Sequence, residues 1–341
     1  MTYEEVLASA RGNMGPVCKA CPVCNGSGCK NSIPGPGAKG SGLVFSRNYN
    51  AWQELRVNMD TICAMEKADT TYSFFGLEMK LPVFAAPIGA VGNHYGDKLT
   101  EEAYAHALVG GCREAGIAAF TGDGLKDRFF LAGCNAMADC GYAVPTIKPW
   151  NQELIFKKID LAKEAGARVL AMDIDASGLP FLKNMNPPSG SKSVEELRKI
   201  MEYAQVPFIL KGIMTVRGAQ KALEAGAAGI VVSNHGGRVL DHTPATADVL
   251  PAISDAVRGQ MIVMVDGGIR TGMDIFKALA LGADAVMIGR PFVVSVYGAG
   301  NEGIRVYTEK LSAELQDTME MCGVHNLNQI SRDCLWLYHS H

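Results

Sequence analysis

One phrase recurs four times along this chain and narrows its possible folds more than any other feature. In each copy a helical pattern ends in a small residue and a glycine, and a β-rich apolar run follows, as in EAGIAAF and EAGAAGIVVS. A glycine in this position suits a helix C-terminus, where the backbone becomes left-handed. The four glycines are Gly116, Gly166, Gly226 and Gly282. The repeat predicts a chain built from α/β units.

The sequence between and around these phrases contains further apolar runs, which brings the number of predicted strands to eight. Their runs are apolar without alternation, as is typical of parallel strands buried on both faces. They cover residues 82–86, 117–121, 143–147, 169–173, 208–211, 229–233, 262–266 and 285–288. Helical patterns lie between them at 152–165, 194–203, 216–225 and 273–281, whereas residues 125–140 show no clear boundary. Eight strands each followed by a helix favour an α/β fold of the (β/α)8 TIM barrel type over an open sheet.

The N-terminal segment differs in composition from the rest of the chain. Residues 12–42 are rich in Gly, Pro, Ser and Cys and cannot form a core of their own. We therefore predict an irregular N-terminal arm over residues 1–50 and a barrel domain over residues 51–341.

The arm contains four of the ten cysteines, Cys18, Cys21, Cys24 and Cys29, with C-x2-C-x2-C-x4-C spacing. Four thiolates this close in sequence can bind zinc or an iron–sulfur cluster. Reactive or regulatory thiols are the alternative, because spacing alone also produces false matches. We interpret the six scattered cysteines as small buried hydrophobic residues.

Charge and hydropathy argue against two classes of partner. A formal net charge of −3 leaves no basic footprint for nucleic acid. No run approaches the roughly 18 apolar residues that suggest a membrane span. The first residues are acidic and lack a continuous apolar stretch, so we expect a cytoplasmic protein without a secretory signal.

Five consecutive predicted strands end in ionisable or hydrogen-bonding groups. In a barrel the C-terminal ends of the strands face the active site, and unpaired buried charge there is costly. The groups are Asp173, Lys211, Ser233 to His235, Asp266, and Gly289 with Arg290. This pattern predicts an enzyme active site at one mouth of the barrel.

The last two strands end in turns with similar chemistry. DGGIR at residues 266–270 and GRP at residues 289–291 both combine glycine backbone with arginine. Barrel enzymes often bind phosphate after strands seven and eight, and arginine holds phosphate with paired hydrogen bonds. We predict a phosphate site here; two tight turns with surface arginines are the alternative.

The stretch SNHGGRVLD at residues 233–241 places His235 at a strand end with Arg238 three residues later. Histidine takes up a proton near neutral pH, and arginine clamps a carboxylate. An α-hydroxy acid needs both, a base for its hydroxyl and an anchor for its carboxylate. A structural histidine is the alternative.

Two blocks make the chain similar to the FMN-dependent α-hydroxy acid oxidase and dehydrogenase family, which includes glycolate oxidase and lactate oxidase. They are KGIMTVRGAQKALEAGAAGIVVSNHGGRVLDHTPAT and DGGIRTGMDIFKALALGADAVMIGRPF. The resemblance extends from about Phe45 to the C-terminus. It implies FMN as cofactor and oxidation of a small (S)-2-hydroxy acid, similar to lactate or glycolate, by hydride transfer to flavin N5. The electron acceptor stays open, and the resemblance implies a homo-oligomer, a tetramer or larger.

The resemblance also implies roles around the substrate. His235 would be the base, Asp173 would pair with it, and Arg238 would hold the substrate carboxylate. Lys211 would lie beside flavin N1 and O2, where a cation stabilises the anionic reduced ring.

The remaining cofactor contacts that the resemblance implies lie at strand ends. Ser233 would touch the flavin or its ribityl chain, Asp266 the ribityl hydroxyls, and the arginines of the two turns the phosphate. The full set is Ala86, Pro87, Ile88, Gly89, Thr121, Thr146, Lys211, Ser233, Asp266, Gly267, Gly268, Arg270, Gly289 and Arg290.

The chain departs from the family pattern in its substrate contacts. Thr146 and Lys148 stand where Gln and Tyr are usual, and the loop after the fourth strand has no Arg, only Lys183. No clear match exists for the substrate-contacting Tyr of the N-terminal segment. Lys148 either replaces a lost carboxylate anchor as a point charge or is a solvated lysine at the rim. Gly89 stands where oxidases often have Ala, which suggests a dehydrogenase with an acceptor other than oxygen.

Two other functions compete with hydroxy acid oxidation. The first is an FMN-dependent isomerase of the type 2 isopentenyl diphosphate isomerase kind, in which the carboxylate clamp would have no use. The second is a non-enzymatic thiol or metal-binding interaction protein, which leaves the ionisable strand ends unexplained.

Overall fold

A closed barrel of eight parallel strands forms the centre of the computed structural model, which describes residues 1–179, 182, 184 and 189–336. The strands are β1 Val83–Ala85, β2 Ala118–Thr121, β3 Ala143–Ile147, β4 Leu170–Asp173, β5 Phe208–Ile213, β6 Gly229–Val232, β7 Ile262–Val265 and β8 Ala285–Ile288. They follow one another in chain order, and β8 closes the barrel against β1. The predicted (β/α)8 barrel is confirmed, with strand ends within two residues of those expected.

Helices surround the barrel and cover the outer faces of its strands, which are buried along nearly their whole length. The helices are α1 Tyr3–Asn13, α2 Leu43–Glu54, α3 Val91–Tyr95, α4 Glu101–Ala115, α5 Asp127–Cys140, α6 Gln152–Glu164, α7 Val194–Ala204, α8 Val216–Ala225, α9 Thr246–Val257, α10 Gly272–Ala280 and α11 Arg290–Met321. Helix α11 is interrupted at Ala299 and Gly300. Within the described residues, no helix is long and apolar enough to cross a membrane.

Local sequence signals explain where most of these helices begin and end. Helices α4, α6, α7, α8 and α10 follow a residue whose side chain accepts a first-turn N–H, namely Thr100, Asn151, Ser193, Thr215 and Thr271. The four glycines of the repeated phrase all have positive φ angles, between 77° and 106°. Helix α5 occupies the region without a predicted boundary, and its N-terminus has no side-chain cap to signal it.

Two short strand pairs complete the fold outside the barrel. Arg56–Val57 pairs antiparallel with Leu335–Trp336, and Tyr72–Phe74 forms a hairpin with Leu77–Met79. The hairpin packs the Phe74 ring against Phe84 of β1, with ring centroids 4.7 Å apart.

The N-terminal arm is bound to the barrel at both of its ends. Helix α1 lies on α11, where Ser9 Oγ donates to the Gly298 carbonyl at 2.6 Å. Helix α2 lies beside β6 and β7, where Trp52 Nε1 donates to the Gly267 carbonyl at 2.7 Å. Residue 50, where we predicted the division between arm and barrel, lies inside α2. Between α1 and α2 the chain is irregular, as expected.

The six cysteines outside the arm differ in exposure. Cys112, Cys134 and Cys322 are buried, as predicted for small hydrophobic residues. Cys140 and Cys334 are only partly buried, and Cys63 is exposed in a surface loop, so the prediction is wrong for Cys63.

Candidate active site

A cavity of about 440 Å³ lies at the C-terminal ends of the barrel strands, within the size range of small-molecule and cofactor sites. Most predicted cofactor residues line it: Ala86, Pro87, Ile88, Gly89, Lys211, Asp266, Gly267, Gly268, Arg270, Gly289 and Arg290. The predicted catalytic and substrate residues Lys148, Asp173, His235 and Arg238 line it too. The barrel thus gathers residues from all parts of the chain at one mouth.

Three predicted cofactor residues lie behind the cavity wall. Ser233 Oγ accepts hydrogen bonds from Lys211 Nζ at 3.0 Å and from the His235 N–H at 3.1 Å, so this hydroxyl orients its neighbours. The Thr121 side chain faces Gly133 of α5, where a Cβ atom would lie 2.5 Å from Thr121 Oγ1. Thr146 is fully buried within β3, and its Oγ1 lies 3.5 Å from the Val144 carbonyl. None of these three residues is among those that line the cavity.

A cluster of buried charges lies at the ends of β3, β4, β5 and β7. Asp173 and Lys211 are register partners in β4 and β5, and Lys211 Nζ lies 3.4 Å from Asp173 Oδ1 and 3.3 Å from Asp266 Oδ2. Lys148 Nζ lies 3.1 Å from Asp173 Oδ2. Lys148 is therefore a buried member of this cluster, and its interpretation as a solvated rim lysine is wrong.

Ion pairing outweighs desolvation within the cluster. Burial lowers the pKa of Lys211, but Asp266 and Asp173 act more strongly together, so its pKa is raised above the ordinary value. Burial raises the pKa of Asp173, but His235, Lys148 and Lys211 together bring it below the ordinary value. Both groups therefore stay charged at neutral pH.

His235 hydrogen-bonds to Asp175 and forms a longer ion pair with the predicted Asp173. His235 Nδ1 lies 3.0 Å from Asp175 Oδ1 and 3.8 Å from Asp173 Oδ1. The Asp173 carboxylate is instead oriented by the two lysines. Since a carboxylate accepts the proton of Nδ1, the neutral imidazole presents Nε2 as its basic nitrogen.

Asp175 reaches His235 because a short 3-10 helix, Ile174–Gly178, follows β4 directly. This turn packs against Gly212 of β5, whose φ angle is 106°. A Cβ atom at Gly212 would lie 2.4 Å from Asp175 Cγ, so only glycine permits this approach. Asp175 follows the strand-end aspartate Asp173 by two residues. Because only residues at the strand ends were considered in the sequence, Asp173 was assigned as the histidine partner and Asp175 was missed.

Asp123 is a buried residue of the cavity wall that the sequence did not single out. Its Oδ2 accepts from the Lys148 N–H at 3.0 Å and from Trp150 Nε1 at 2.6 Å. Its Oδ1 accepts from Lys158 Nζ at 2.9 Å. Asp123 therefore joins the loops after β2 and β3 and fixes the backbone that carries Lys148.

The arm forms part of the active-site wall, which the sequence did not indicate. Ile33 and Pro34 line the cavity, and Arg238 NH1 donates to the Gly35 carbonyl at 2.6 Å and the Gly37 carbonyl at 2.9 Å. Burial, followed by the charge of Arg290, lowers the pKa of Arg238 to about 10. Arg238 thus remains a cation that the arm holds in place.

His94 is a second wall residue that contacts the arm. Its Nδ1 accepts a hydrogen bond from the Gly35 N–H at 3.1 Å. Burial, followed by the charges of Arg238 and Lys148, lowers the pKa of His94 to about 4. His94 is therefore neutral at pH 7, as its acceptor role requires.

The turns after β7 and β8 form the predicted phosphate end of the cavity. Arg270 Nε donates to the Cys24 carbonyl at 2.8 Å, and Arg290 Nε donates to the Pro36 carbonyl at 2.7 Å. Both guanidinium groups face the Phe45 ring, with Cζ at 5.8 Å and 3.8 Å from its centroid. The arm thus orients both arginines.

This end of the cavity fits FMN by its donors and acceptors. Arg270 NH2 and Asp266 Oδ1 are buried and have no hydrogen-bond partner within the described part of the chain. The first is a cationic donor for a phosphate oxygen, and the second is an acceptor for a ribityl hydroxyl. Gly267 and Gly268 have φ angles of 91° and 88°, and a Cβ atom at Gly268 would lie 2.2 Å from the Asn48 carbonyl oxygen.

The four cysteines of the arm line a second cavity of about 280 Å³, behind the two arginines. Among the residues that the structure describes, no three of these thiols lie within 4.8 Å of one another. The thiols are therefore not preassembled as a tetrahedral zinc site, and the zinc or iron–sulfur site stays a prediction. Lys183, the other cation noted in the sequence, lies outside the described residues.

A barrel mouth with an oriented histidine, buried ion pairs and an anion-binding end defines a cofactor-dependent barrel enzyme. The model of the family described as FMN-dependent dehydrogenase matches residues 36–181 and 181–337. The chain belongs to the FMN-dependent dehydrogenase family.

Curated relatives agree with this assignment. The peroxisomal (S)-2-hydroxyacid oxidase GLO3 of Arabidopsis thaliana is 30% identical over 334 residues, covering 85% of this chain and 87% of that protein. The L-lactate dehydrogenase of Pseudomonas aeruginosa (strain LESB58) is 42% identical over 152 residues, covering 45% of this chain and 39% of that protein.

Solved structures share the whole fold. Mandelate oxidase with (S)-2-phenylpropionate has a TM-score of 0.78 and 26% identity, covering 98% of this chain and 97% of that chain. Lactate oxidase from Pediococcus acidilactici has a TM-score of 0.78 and 25% identity, covering 99% of this chain and 95% of that chain. The family is therefore that of flavin-dependent oxidoreductases, which does not favour the isomerase or the non-enzymatic alternative.

Proposed function

We propose that this protein oxidises a small (S)-2-hydroxy acid to the 2-oxo acid, with transfer of the substrate hydride to FMN. The observation that carries the proposal is the placement of His235, with Nδ1 bound to Asp175, in the same cavity as Arg238. One group is a base for a hydroxyl and the other a clamp for a carboxylate. Hydroxy acids are also named in the relatives' descriptions.

His235 takes the substrate hydroxyl proton at Nε2 in this proposal. The resulting imidazolium is stabilised by Asp175, in direct hydrogen-bond contact, and by Asp173 at 3.8 Å. Proton removal of this kind contributes about 10²- to 10⁴-fold to a rate. Bound FMN supplies a two-electron acceptor for the hydride.

Arg238 and Lys148 bind the substrate carboxylate. Arg238 offers a planar guanidinium, whose NH1 the arm fixes through Gly35 and Gly37. Lys148 offers a point charge that Asp173 orients. Two cations at one end of a small cavity favour a short 2-hydroxy monocarboxylate.

The cofactor contacts follow from the same wall. We place Lys211 beside the flavin ring, where its charge stabilises the reduced form. When FMN is bound, Asp266 would accept from the ribityl chain, Arg270 and Arg290 would bind the phosphate, and the backbone of residues 86–89 would border the ring. Thr121, Thr146 and Ser233 act from behind the wall.

Three further points stay predictions. They are an electron acceptor other than oxygen, as Gly89 suggests, a homo-oligomer of at least four chains, and a cytoplasmic location. Some relatives are named as peroxisomal enzymes.

Anaerobic titration of the purified flavoprotein tests the proposal. We expect (S)-lactate or glycolate to bleach the flavin absorbance, whereas (R)-lactate is the matched control that leaves it unchanged. Equal bleaching by both enantiomers would contradict stereospecific binding by Arg238. Flavin that no 2-hydroxy acid of two to six carbons bleaches would overturn the proposed function.

A further inference from the structure

The four arm cysteines share one enclosed space although the arm has no regular secondary structure between residues 14 and 42. Cys18, Cys21, Cys24 and Cys29 all line the cavity of about 280 Å³. All four are partly buried and unbonded to one another. The arm therefore brings its four thiols to one cavity without forming disulfide bonds between them.

The spacing of the thiols can be compared with that in two kinds of metal site. Four thiolates around one zinc ion lie about 3.8 Å apart, because each Zn–S bond is about 2.3 Å long. No three of these thiols approach within 4.8 Å in the described part of the chain. In a 4Fe–4S cluster each thiolate binds a different iron, so the ligands stand farther apart around a larger centre.

The charge of the cavity wall also fits a cluster. Lys19, Arg270, Arg290 and Lys310 line the cavity, and Glu4 is the one acidic residue among its lining residues in the described chain. Four thiolates with a cluster form an anionic group, which an excess of cations stabilises. Buried, protonated thiols without a bound metal would not need this surplus of positive charge.

Small and apolar residues keep the space open and shield it from water. Gly28 lies against Cys21, where a Cβ atom would come within 3.0 Å of Sγ. Tyr3, Leu7 and Val294 contribute apolar walls, and Tyr3 stacks on Tyr307 with centroids 4.8 Å apart. Limited exposure of this kind is one determinant of the reduction potential of an iron–sulfur cluster.

The cysteine cavity adjoins the flavin cavity. Arg270 and Arg290 line both, so a layer of side chains separates the two spaces. Arg270 Nε also donates to the Cys24 carbonyl at 2.8 Å, which ties the cysteine loop to the phosphate end. A redox centre in the second cavity would therefore adjoin the phosphate end of the flavin cavity.

We propose that Cys18, Cys21, Cys24 and Cys29 bind a 4Fe–4S cluster that accepts electrons from reduced FMN. This inference rests on FMN binding and not on the identity of the hydroxy acid. On reoxidation the anionic reduced flavin releases two electrons and one proton, His235 releases the proton taken from the substrate hydroxyl, and the cluster takes one electron at a time. Two successive transfers, each passed on to an external one-electron acceptor, regenerate oxidised flavin, and the protons go to solvent.

The first test is the metal content of the full-length protein. We purify it without oxygen, reconstitute it with ferrous iron and sulfide, and measure iron, acid-labile sulfide and FMN per chain. We expect about four irons and four sulfides per chain, with an electron paramagnetic resonance signal after reduction by dithionite. One zinc per chain, or FMN without iron and sulfide after reconstitution, would overturn the proposal without needing any variant.

Variants then assign the ligands and the electron route. The Cys24→Ser and Cys21→Ser variants should lose most of their iron, and they should reduce ferricyanide at least tenfold more slowly. Substrate should still bleach their flavin under anaerobic conditions. Cys63→Ser, an exposed cysteine outside the arm, is the matched control and should keep both. Full iron content in both arm variants would overturn the ligand assignment. Full ferricyanide reduction in iron-free protein would overturn the electron route, and bleaching measured on the same samples tests the hydroxy acid assignment separately.

Discussion

The two sides of the barrel mouth are built by different means. On the catalytic side, formed by β3 to β6, charged side chains pair with one another: Asp173 with Lys148 and Lys211, and His235 with Asp175. On the phosphate side, formed by β7, β8 and the arm, arginines donate to backbone carbonyls of the arm, as Arg290 does to Pro36. Proton transfer should therefore depend on single barrel side chains and FMN retention on the docking of the arm, which also holds the substrate clamp Arg238.

The largest effect should come from removing the base on the catalytic side. We expect His235→Ala to retain FMN but to reduce its flavin about 10²- to 10⁴-fold more slowly with substrate. Stopped-flow absorbance under anaerobic conditions measures this rate. His242→Ala, an exposed histidine, is the control. An unchanged rate in His235→Ala would remove the base assignment.

Lys211→Met should show how much the paired charges contribute to stability. It leaves the buried Asp173 and Asp266 carboxylates without their shared cation, and breaking a buried ion pair costs about 3–5 kcal/mol. Urea unfolding of the apoprotein measures the free energy of unfolding. Lys221→Met on α8 is the exposed control. A loss below 1 kcal/mol, as for a surface pair, would mean that the cluster is hydrated in solution.

Asp175→Asn tests the observed histidine partner against the predicted one. We expect flavin reduction to slow about 10- to 100-fold, because a hydrogen bond to a charged group contributes about 1.5–3 kcal/mol. Asp173→Asn should instead lower the free energy of unfolding through its two lysines. Comparing rate and stability for both variants separates the roles, and a larger rate loss in Asp173→Asn with full stability would reverse them.

Phe45→Leu tests the phosphate side. The ring lies under Arg290 and Arg270, and such contacts contribute about 0.5–1 kcal/mol at exposed sites. The dissociation constant of FMN should rise about two- to fivefold, with no change in the reduction rate at saturating FMN. Phe156→Leu, which removes a ring stacked on Tyr203 outside the mouth, is the control. A slower reduction step in Phe45→Leu would show that the two sides are coupled.

The smallest effect is a pH dependence where the arm meets the catalytic side. The pKa of His94 falls from its ordinary 6.5 to about 4 in the folded protein. The unfolded chain therefore binds the proton first, so stability is full above pH 6.5 and declines as pH falls toward 4. Urea unfolding at several pH values should show a shallower decline in His94→Gln, and identical curves would contradict this assignment.

The sequence alone determined the barrel, its eight strands and the chemistry at their ends. Glycine at helix ends, apolar runs without alternation, and the DGG and GR turns are local patterns, and neighbours along the chain fix their structure. This reasoning predicted Asp173, Lys211, His235 and Arg270, because the C-terminal ends of all barrel strands lie at the same mouth of the barrel. Helix α5 was missed since its N-terminus lacks a side-chain cap.

Only the tertiary structure decided which of these groups meet. His235 pairs with Asp175 because Gly212, on the neighbouring strand, admits the turn that carries it. The arm became a wall of the active site through contacts such as Arg238 with Gly35, which lie about 200 residues apart in the chain. Partners this distant leave no periodic signal in the sequence, since their contact depends on how complete elements pack and not on neighbouring residues.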